Sequence, residues 1–451
     1  MHVHPIEYRY GTSEMKKIWN EKSRVKRLVL VEVALLKALT KKGYLSKEKV
    51  DEFEKKIIRN IDLSRIKQIE AQIKHDIMAL VKYLSELADK EVARWIHFGA
   101  TSNDIIDSAT ATQIRDSLEI IEKKLKILLK VLNNKAITYK DLVCLGRTHG
   151  QAALPTTYGF RFALWASEIA RHLIRLRELR PRVCVGKMSG AVGTQAGFGR
   201  DGFEIENESM KYIQVKPVEI SSQIIPRDVY CEYITFLANL ATTLEKIATT
   251  LRLLQRSEVG EVLEKFEKEQ VGSSTMPHKR NPIICEQICS LARVIRGFVI
   301  PQYECSILWE ERDLTNSAAE RIILTETTIL LDYILTKAIE VLENLKLNKT
   351  NIERNLKALK GLNLSEAIML ELTKRGMERQ KAHEIVREAA IKAIEANTSL
   401  LEQLVKNKDI LKLISPEELE NITKPEAYLG TAKERVEKIV KNISSLLSTA
   451  P

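Results

Sequence analysis

Residues 271–282, VGSSTMPHKRNP, hold a Gly, two Ser, a His, two cations and two Pro within one short run. Pro282 suits the first position of a following helix, with Asn281 as its cap. That helix runs on through Ile283, Ile284, Ile288, Leu291 and Ile295. Lys279, Arg280 and Asn281 then gather at a positive helix end, where free N–H groups and aligned peptide dipoles hold an anion. Gly272, Ser273 and Ser274 form the approach to it. The same residues also read as an ordinary loop ahead of a capped helix, and their spacing matches no phosphate loop.

Three further segments combine polar groups with turn residues. In residues 96–107, IHFGATSNDIID, Thr101 or Ser102 can cap the next helix, and Asp104 stands where a capping-box acid sits. A glycine turn with hydroxyls at a helix start also suits phosphate or carboxylate, although capping alone accounts for these residues. In residues 146–151, GRTHGQ, His149 stands in a polar turn off any apolar face. In residues 74–76, Lys-His-Asp, His75 projects away from the stripe that holds Ile73 and Ile77, at about 100° per residue. Both histidines read equally well as exposed side chains.

Two patterns are set aside. Residues 197–202 match GxGxxG, but no strand precedes them and no βαβ unit surrounds them. The eight His and six Cys include no HExxH, no CxxC and no Cys/His quartet, so no protein-built zinc site is expected. The cysteines read as buried free thiols in a reducing compartment.

The elements that must carry these groups are helical. Ile66, Ile69, Ile73, Ile77, Leu80, Leu84 and Leu87 recur at three- and four-residue steps and form one stripe. Leu118, Ile121, Leu125, Leu128 and Leu132 form a heptad-like row. Residues 229–255 and 325–345 read as long helices. Pro181, Pro217, Pro226, Pro277, Pro282 and Pro301 are expected between helical segments. No alternating run supports a central sheet. The expected class is all-α, with long helices in a bundle and three consecutive parts. Residues 1–107 hold shorter helices, 108–357 the long ones, and 358–451 short helices separated by Asn and Gly. The apolar stripes exceed what one small bundle hides, which predicts association through helix faces.

Composition narrows the function. The 451 residues are 44% hydrophobic and 29% charged, which supplies a large core and excludes disorder. Eighteen Gly and eleven Pro exclude collagen-like and low-complexity architectures. Lys and Arg total 71 against 60 Asp and Glu, leaving a formal charge of +11 that suits an anionic partner. The basic residues alternate with Glu, as in EKKLK and EKFEKEQ, and do not form the isolated blocks of a nucleic-acid tail. No apolar run reaches the ~18 residues of a membrane span. The opening MHVHPIEYRYG has no apolar core and does not read as a secretory signal. A cytoplasmic protein without structural disulfides is expected.

GSSTMPHKRNP closely resembles the diagnostic loop of the fumarase/aspartase superfamily, whose members eliminate fumarate from succinyl compounds. KHD, HFGATSND and GRTHGQ, in that order, are similar to the adenylosuccinate lyase family. So are WEERDLTNSAAER at 309–321 and PEAYLG at 425–430, and the resemblance spans nearly the whole chain. Argininosuccinate lyases usually carry Gln-Lys where His278 and Lys279 stand, and fumarases and aspartases carry Gly-Lys. One position departs: many bacterial relatives have His where this chain has Glu310.

The resemblance implies a three-domain, all-α fumarase/aspartase-like fold and β-elimination of fumarate. Adenylosuccinate would give AMP, and the ribotide SAICAR would give AICAR. A base must remove a proton beside a carboxylate, and an acid must protonate the departing nitrogen. Fixed cations and donors must hold the charge that spreads into that carboxylate. No metal or organic cofactor is implied, because the substrate's own carboxylate is the electron sink.

By resemblance, Ser273 is the base, with Ser274 as the runner-up or a carboxylate ligand, and His149 is the acid. A serine is basic only where its alkoxide is stabilised, here by Lys279 and the helix start after Asn281. Glu286 pairs with His149 and fixes its tautomer. His75 assists the acid or holds the phosphate side, with Lys74 and Asp76 beside it in the binding set. Thr101 and Ser102 hold a succinyl carboxylate. Arg9 and Tyr10 match the nucleotide-binding pair, Gln223 a substrate-binding Gln, and Asn281 a further ligand-binding position. Arg312, Ser317 and Arg321 match the phosphate set, where the planar Arg fork binds two oxygens at once. The family builds each pocket from three subunits of a homotetramer, and its partners are small molecules, with no nucleic acid and no membrane. The alternatives are a sister lyase, such as argininosuccinate lyase or carboxymuconate cycloisomerase, and a non-catalytic helical protein that binds nucleic acid.

Overall fold

A computed structural model describes residues 3–266, 269, 272, 275, 276 and 278–448. Ser273, Ser274 and Pro277 lie outside the described residues, so the expected base and its neighbour are not placed. Among the described residues the architecture is helical, as the periodicity requires. Long helices span Ser102–Thr138, Tyr158–Val183, Asp228–Gln255 and Ser317–Asn344. Leu118, Ile121, Leu125, Leu128 and Leu132 are all fully buried, so the heptad-like row is a core seam.

The chain divides into two compact units. One comprises Met1–Leu125, His172–Glu245 and Ile288–Lys337, and the other Lys126–Arg171, Lys246–Gln287 and Ala338–Pro451. The core of the first unit includes Val29, Leu35, Leu39, Ile77, Leu80, Leu84, Ile105 and Met188. That of the second includes Ile368, Leu372, Leu400, Leu404, Ile410 and Leu419. Short polar residues start many of the shorter helices. Asn20 accepts from the Ser23 N–H, and Ser399 and Ser415 each form a reciprocal capping box with the Glu three residues on.

Three features differ from the sequence expectation. The stripe from Ile66 to Leu87 is two helices, Leu63–Ile73 and Asp76–Leu87, broken at Lys74 with φ 58°. Ile66, Ile69, Ile77, Leu80 and Leu84 are buried on both sides of the break. The apolar phase survives the corner, which is why periodicity alone does not reveal it. Ile73, expected in the core, is 39% exposed at that corner.

Strands also occur, although not as a central sheet. Val143–Thr148 pairs antiparallel with Gln151–Thr157, and the register slips between Leu145 and Arg147. Gly146 sits in that bulge, where a Cβ would lie 2.6 Å from the Leu154 carbonyl oxygen. Two shorter pairs join Val185–Gly186 to Lys216–Pro217 and Val262–Leu263 to Lys346–Leu347.

The prolines divide. Pro226 and Pro282 precede helices, but Pro217 is in a strand and Pro181 is in the last turns of its helix. Pro301 is the third residue of Val299–Glu304, where no intrahelical N–H bond is due.

Candidate active site

In the first unit, a cavity of about 330 Å³ is lined by Arg24, Asn103, Arg312, Ser317 and Arg321, among others. Arg321 Nη2 donates to Asp76 Oδ2 at 3.0 Å, which joins the Lys-His-Asp corner to this cavity. Arg312 Nη1 donates to Gln223 Oε1 at 3.2 Å, while its Nε is buried without a partner. Burial depresses the Arg312 pKa, since a withdrawn guanidinium loses hydration. The neighbouring Arg227 is different. Its Nη1 and Nη2 reach Asp107 at 2.8 and 3.0 Å, and its Nε reaches Glu320 at 2.9 Å. Burial disfavours that charge, but the two carboxylates outweigh it and hold the Arg227 pKa above its ordinary value. Arg227 is therefore neutralised within the wall, whereas Arg312 meets only an amide. Such a cavity favours an anion with several oxygens.

Of the expected binding residues, Arg312, Ser317 and Arg321 line this cavity, and hydrogen bonds tie Asp76 and Gln223 to it. Arg9 and Tyr10 are outside its lining. The Arg9 guanidinium lies 5.9 Å from the Tyr10 ring centre, and that ring meets Tyr333 edge-on at 5.7 Å. Lys74 is the left-handed corner residue. His75 caps the following helix, its Nδ1 accepting from the Met78 N–H at 3.3 Å. His75 thus stands at a helix start and not on the flank of a continuous helix.

Asp104 organises the next segment. Its Oδ2 accepts the Thr101 N–H at 2.7 Å and the Gly190 N–H at 3.0 Å. Its Oδ1 accepts the Ser189 N–H at 2.9 Å and the Lys187 ammonium. The first of these is the back-bond expected of a capping-box acid. The Lys187 ammonium also donates to the Gln223 carbonyl oxygen at 3.0 Å. A continuous set of bonds therefore runs from the Thr101 turn through Asp104 and Lys187 to Gln223 and Arg312. The same turn is anchored at His97, whose φ is 62° and whose Nδ1 lies 2.7 Å from the fully buried Glu32 carboxylate. Ser102 is the first residue of the helix that follows.

In the second unit, His149 and Gly150 form the two-residue tip of the 143–157 hairpin, with φ of 53° and 74°. Positive φ at both central residues is the turn that matches strand twist, and it leaves His149 exposed. Two residues before it, Arg147 Nη2 donates to the fully buried Glu261 at 2.7 Å. Glu261 also accepts from the Tyr158 hydroxyl at 2.6 Å and from Asn355 Nδ2 at 2.9 Å, so the hairpin base is held on three sides.

The helix after the 271–282 run begins at Ile283, and its cap is not Asn281. The Ile284 and Cys285 N–H groups donate to the Glu264 carboxylate at 3.1 and 2.8 Å. Pro282 stands one residue before the helix, its carbonyl accepting the Glu286 N–H at 2.9 Å. Asn281 Nδ2 instead donates to the Gly272 carbonyl at 3.2 Å and ties the two ends of the run together. A charged acceptor that meets two N–H groups displaces a neutral cap. The positive helix end does hold an anion, but that anion is the chain's own Glu264. Lys279 is exposed at the end of the run. Glu286 is exposed in the first helical turn, and among the described residues no hydrogen bond or ion pair joins it to His149.

Asp104 was legible as a cap, but its bond to Lys187 was not. Arg227 and Glu264 carried no local signal, because each bonds to residues at least one element away, and Arg24 carried none because only the fold brings it to the cavity wall. Among the described residues, no group of three His, Cys, Asp or Glu side chains is placed to hold a metal ion. All six cysteines are buried, as expected, with no disulfide among them.

A family model described as lyase matches residues 7–297, and one described as adenylosuccinate lyase C-terminus matches residues 361–439. The chain is 64% identical over 447 residues to the adenylosuccinate lyase of Archaeoglobus fulgidus, covering 99% of this chain and 100% of that one. The chain belongs to the adenylosuccinate lyase family. It is 50% identical to the family member from Methanocaldococcus jannaschii, over 99% of this chain and 97% of the relative. Its fold is that of the fumarase/aspartase superfamily. A fumarate lyase from Mesorhizobium sp. BNC1 superposes with a TM-score of 0.88 at 30% identity, covering 96% and 98% of the two chains. A 3-carboxy-cis,cis-muconate lactonizing enzyme from Pseudomonas putida gives 0.89 at 28% identity, covering 98% and 99%. The sister enzymes share the architecture, and the adenylosuccinate lyase family shares far more of the sequence. The chain is a lyase acting on C–N bonds.

Proposed function

We propose that this chain eliminates fumarate from adenylosuccinate to give AMP, and from SAICAR to give AICAR. The observation that carries the reading is the convergence of Arg312, Ser317 and Arg321 on one cavity, linked to Asp76 and Gln223. These are the residues through which a nucleotide phosphate and its succinyl-bearing base would be held.

In this reading the 5′-phosphate sits against Arg312, Ser317 and Arg321, and Thr101 and Ser102 hold a succinyl carboxylate. Ser273 removes the proton beside that carboxylate, with Ser274 next to it, and His149 protonates the departing nitrogen. Lys279 supplies the positive charge that makes the serine alkoxide tolerable, without the helix tip, which Glu264 already neutralises. Glu286 orients His149. The substrate's own carboxylate takes the electron pair, so the step needs no metal or organic cofactor.

The enzyme acts as a homotetramer with pockets assembled from several subunits. Ile307, Trp309 and Leu314 support this, being 74%, 82% and 72% exposed in the single chain. The three-part organisation, 1–107, 108–357 and 358–451, is retained as the family's domain plan, and the enzyme works in the cytoplasm. The deciding experiment incubates the oligomeric protein with adenylosuccinate beside argininosuccinate. Absorbance reports AMP formation, with fumarate expected in equal amount. Absence of turnover from folded oligomer ends the assignment.

A further inference from the structure

We propose that Arg24 is a phosphate ligand: a third guanidinium that contacts the nucleotide 5′-phosphate beside Arg312 and Arg321. This rests on the reading that the Arg312, Ser317 and Arg321 cavity is the phosphate subsite. Arg24 lies in the first turn of Glu21–Lys41, and its N–H makes the first intrahelical bond, to the Asn20 carbonyl at 3.0 Å. Asn20 caps that turn through the Ser23 N–H at 2.8 Å, which fixes where the Arg24 stem begins. The side chain lines the same cavity as Arg312, Ser317 and Arg321.

The charge inventory of that cavity makes Arg24 conspicuous. Arg227 has two carboxylates, and Arg321 has Asp76. Arg24 is half-buried yet makes no side-chain hydrogen bond or ion pair among the described residues. Burial depresses its pKa, the facing Arg321 depresses it further, and Asp76, Glu21 and Glu70 only partly offset this. Glu21 also lines the cavity, but among the described residues neither Arg24 nor Arg312 makes a hydrogen bond or ion pair with a carboxylate, so two guanidiniums face it without a directly bonded acid. Holding unpaired charge out of water is unfavourable, and a ligand with two negative charges and several acceptor oxygens relieves it. A phosphate monoester is such a ligand, and one succinyl carboxylate is not.

The test compares Arg24→Gln with the parent on adenylosuccinate and on its dephosphorylated nucleoside, with inorganic phosphate as competitor. Loss of one charged hydrogen-bonding partner predicts a KM for the nucleotide raised about 10- to 100-fold. The kcat should change little, the phosphate inhibition constant should rise in parallel, and the nucleoside KM should be unchanged. Arg24→Lys, which keeps the charge but not the fork, should fall between, and serves if the Gln variant does not fold. An unchanged nucleotide KM, or equal losses on nucleotide and nucleoside, overturns the proposal. Weakened inhibition by fumarate instead of phosphate also overturns it, by placing the succinyl end there. Arg321→Gln is the control for the underlying reading. If it separates the two substrates and Arg24→Gln does not, only Arg24 is misassigned; if neither does, the phosphate subsite itself is wrong.

Discussion

The Asp104 carboxylate and the Lys187 ammonium bond to each other with both side chains fully withdrawn from solvent. Breaking such a pair from one side leaves an uncompensated buried charge. Asp104→Asn should lower unfolding free energy by about 3–5 kcal/mol in urea titration. Joining it to Lys187→Met should recover part of that loss. A double variant less stable than the single one would show that the two residues do not act as a pair.

The Glu264 cap is tested by Glu264→Ala, which frees the Ile284 and Cys285 N–H groups. The expected cost is about 1–2 kcal/mol, with Glu264→Gln between Ala and the parent because it keeps an acceptor but loses the charge. Amide hydrogen exchange at residues 284 and 285 should quicken in the Ala variant. Unchanged exchange there would mean that the carboxylate does not cap the helix in solution.

His149→Gln and Ser273→Ala should each lower kcat by about 100- to 10,000-fold, the usual contribution of one positioned acid or base. Circular dichroism and oligomeric state should be those of the parent. Mixing the two inactive variants under subunit exchange should restore some activity if a pocket draws His149 and Ser273 from different chains. Near-parental rates in either variant would remove that residue from its role.

His97 gives a pH dependence. Burial alone lowers its pKa, but the hydrogen bond and charge of Glu32 outweigh that and raise it above the ordinary histidine value. A raised folded-state pKa means stability that is fully present below about pH 6.5, the unfolded value, and lost as pH climbs through the folded one. Unfolding free energy should therefore decline on the alkaline side of about pH 6.5, and His97→Gln should remove that part of the decline. Parallel curves for parent and variant would contradict it.

What sequence could disclose follows from the range of the physics involved. The 118–132 row and the 229–255 and 325–345 segments disclosed most of three long helices, because a side chain's burial repeats with the helix turn, but the opening turns from Ser317 went unread. The capping role of Asp104 was visible because its partner is three residues away. The corner at Lys74 was hidden because the apolar phase continues across it. The 143–157 hairpin was hidden because its strands carry Gly, Arg, Gln and Pro in place of an alternating apolar run. Glu264 caps a helix that starts nineteen positions later in the chain, and Lys187, just past the Val185–Gly186 strand, meets Asp104 from 83 positions away. Neither pairing leaves a local trace. The candidate residues themselves were named through resemblance, and the shared cavity is the physical reason that some of them belong together.

The tip of the hairpin has a bearing on how such an enzyme can be improved. A backbone with φ of 53° at His149 disfavours an ordinary side chain by roughly 1–2 kcal/mol, while glycine and asparagine adopt it readily. His149→Gly and His149→Asn should therefore melt later than the parent, and both lose the imidazole. A laboratory lineage sorted only for heat resistance would drift toward these versions without the imidazole. If His149 is the acid of the proposed mechanism, the durability of the fold and the retention of that acid are set in opposition at that single position.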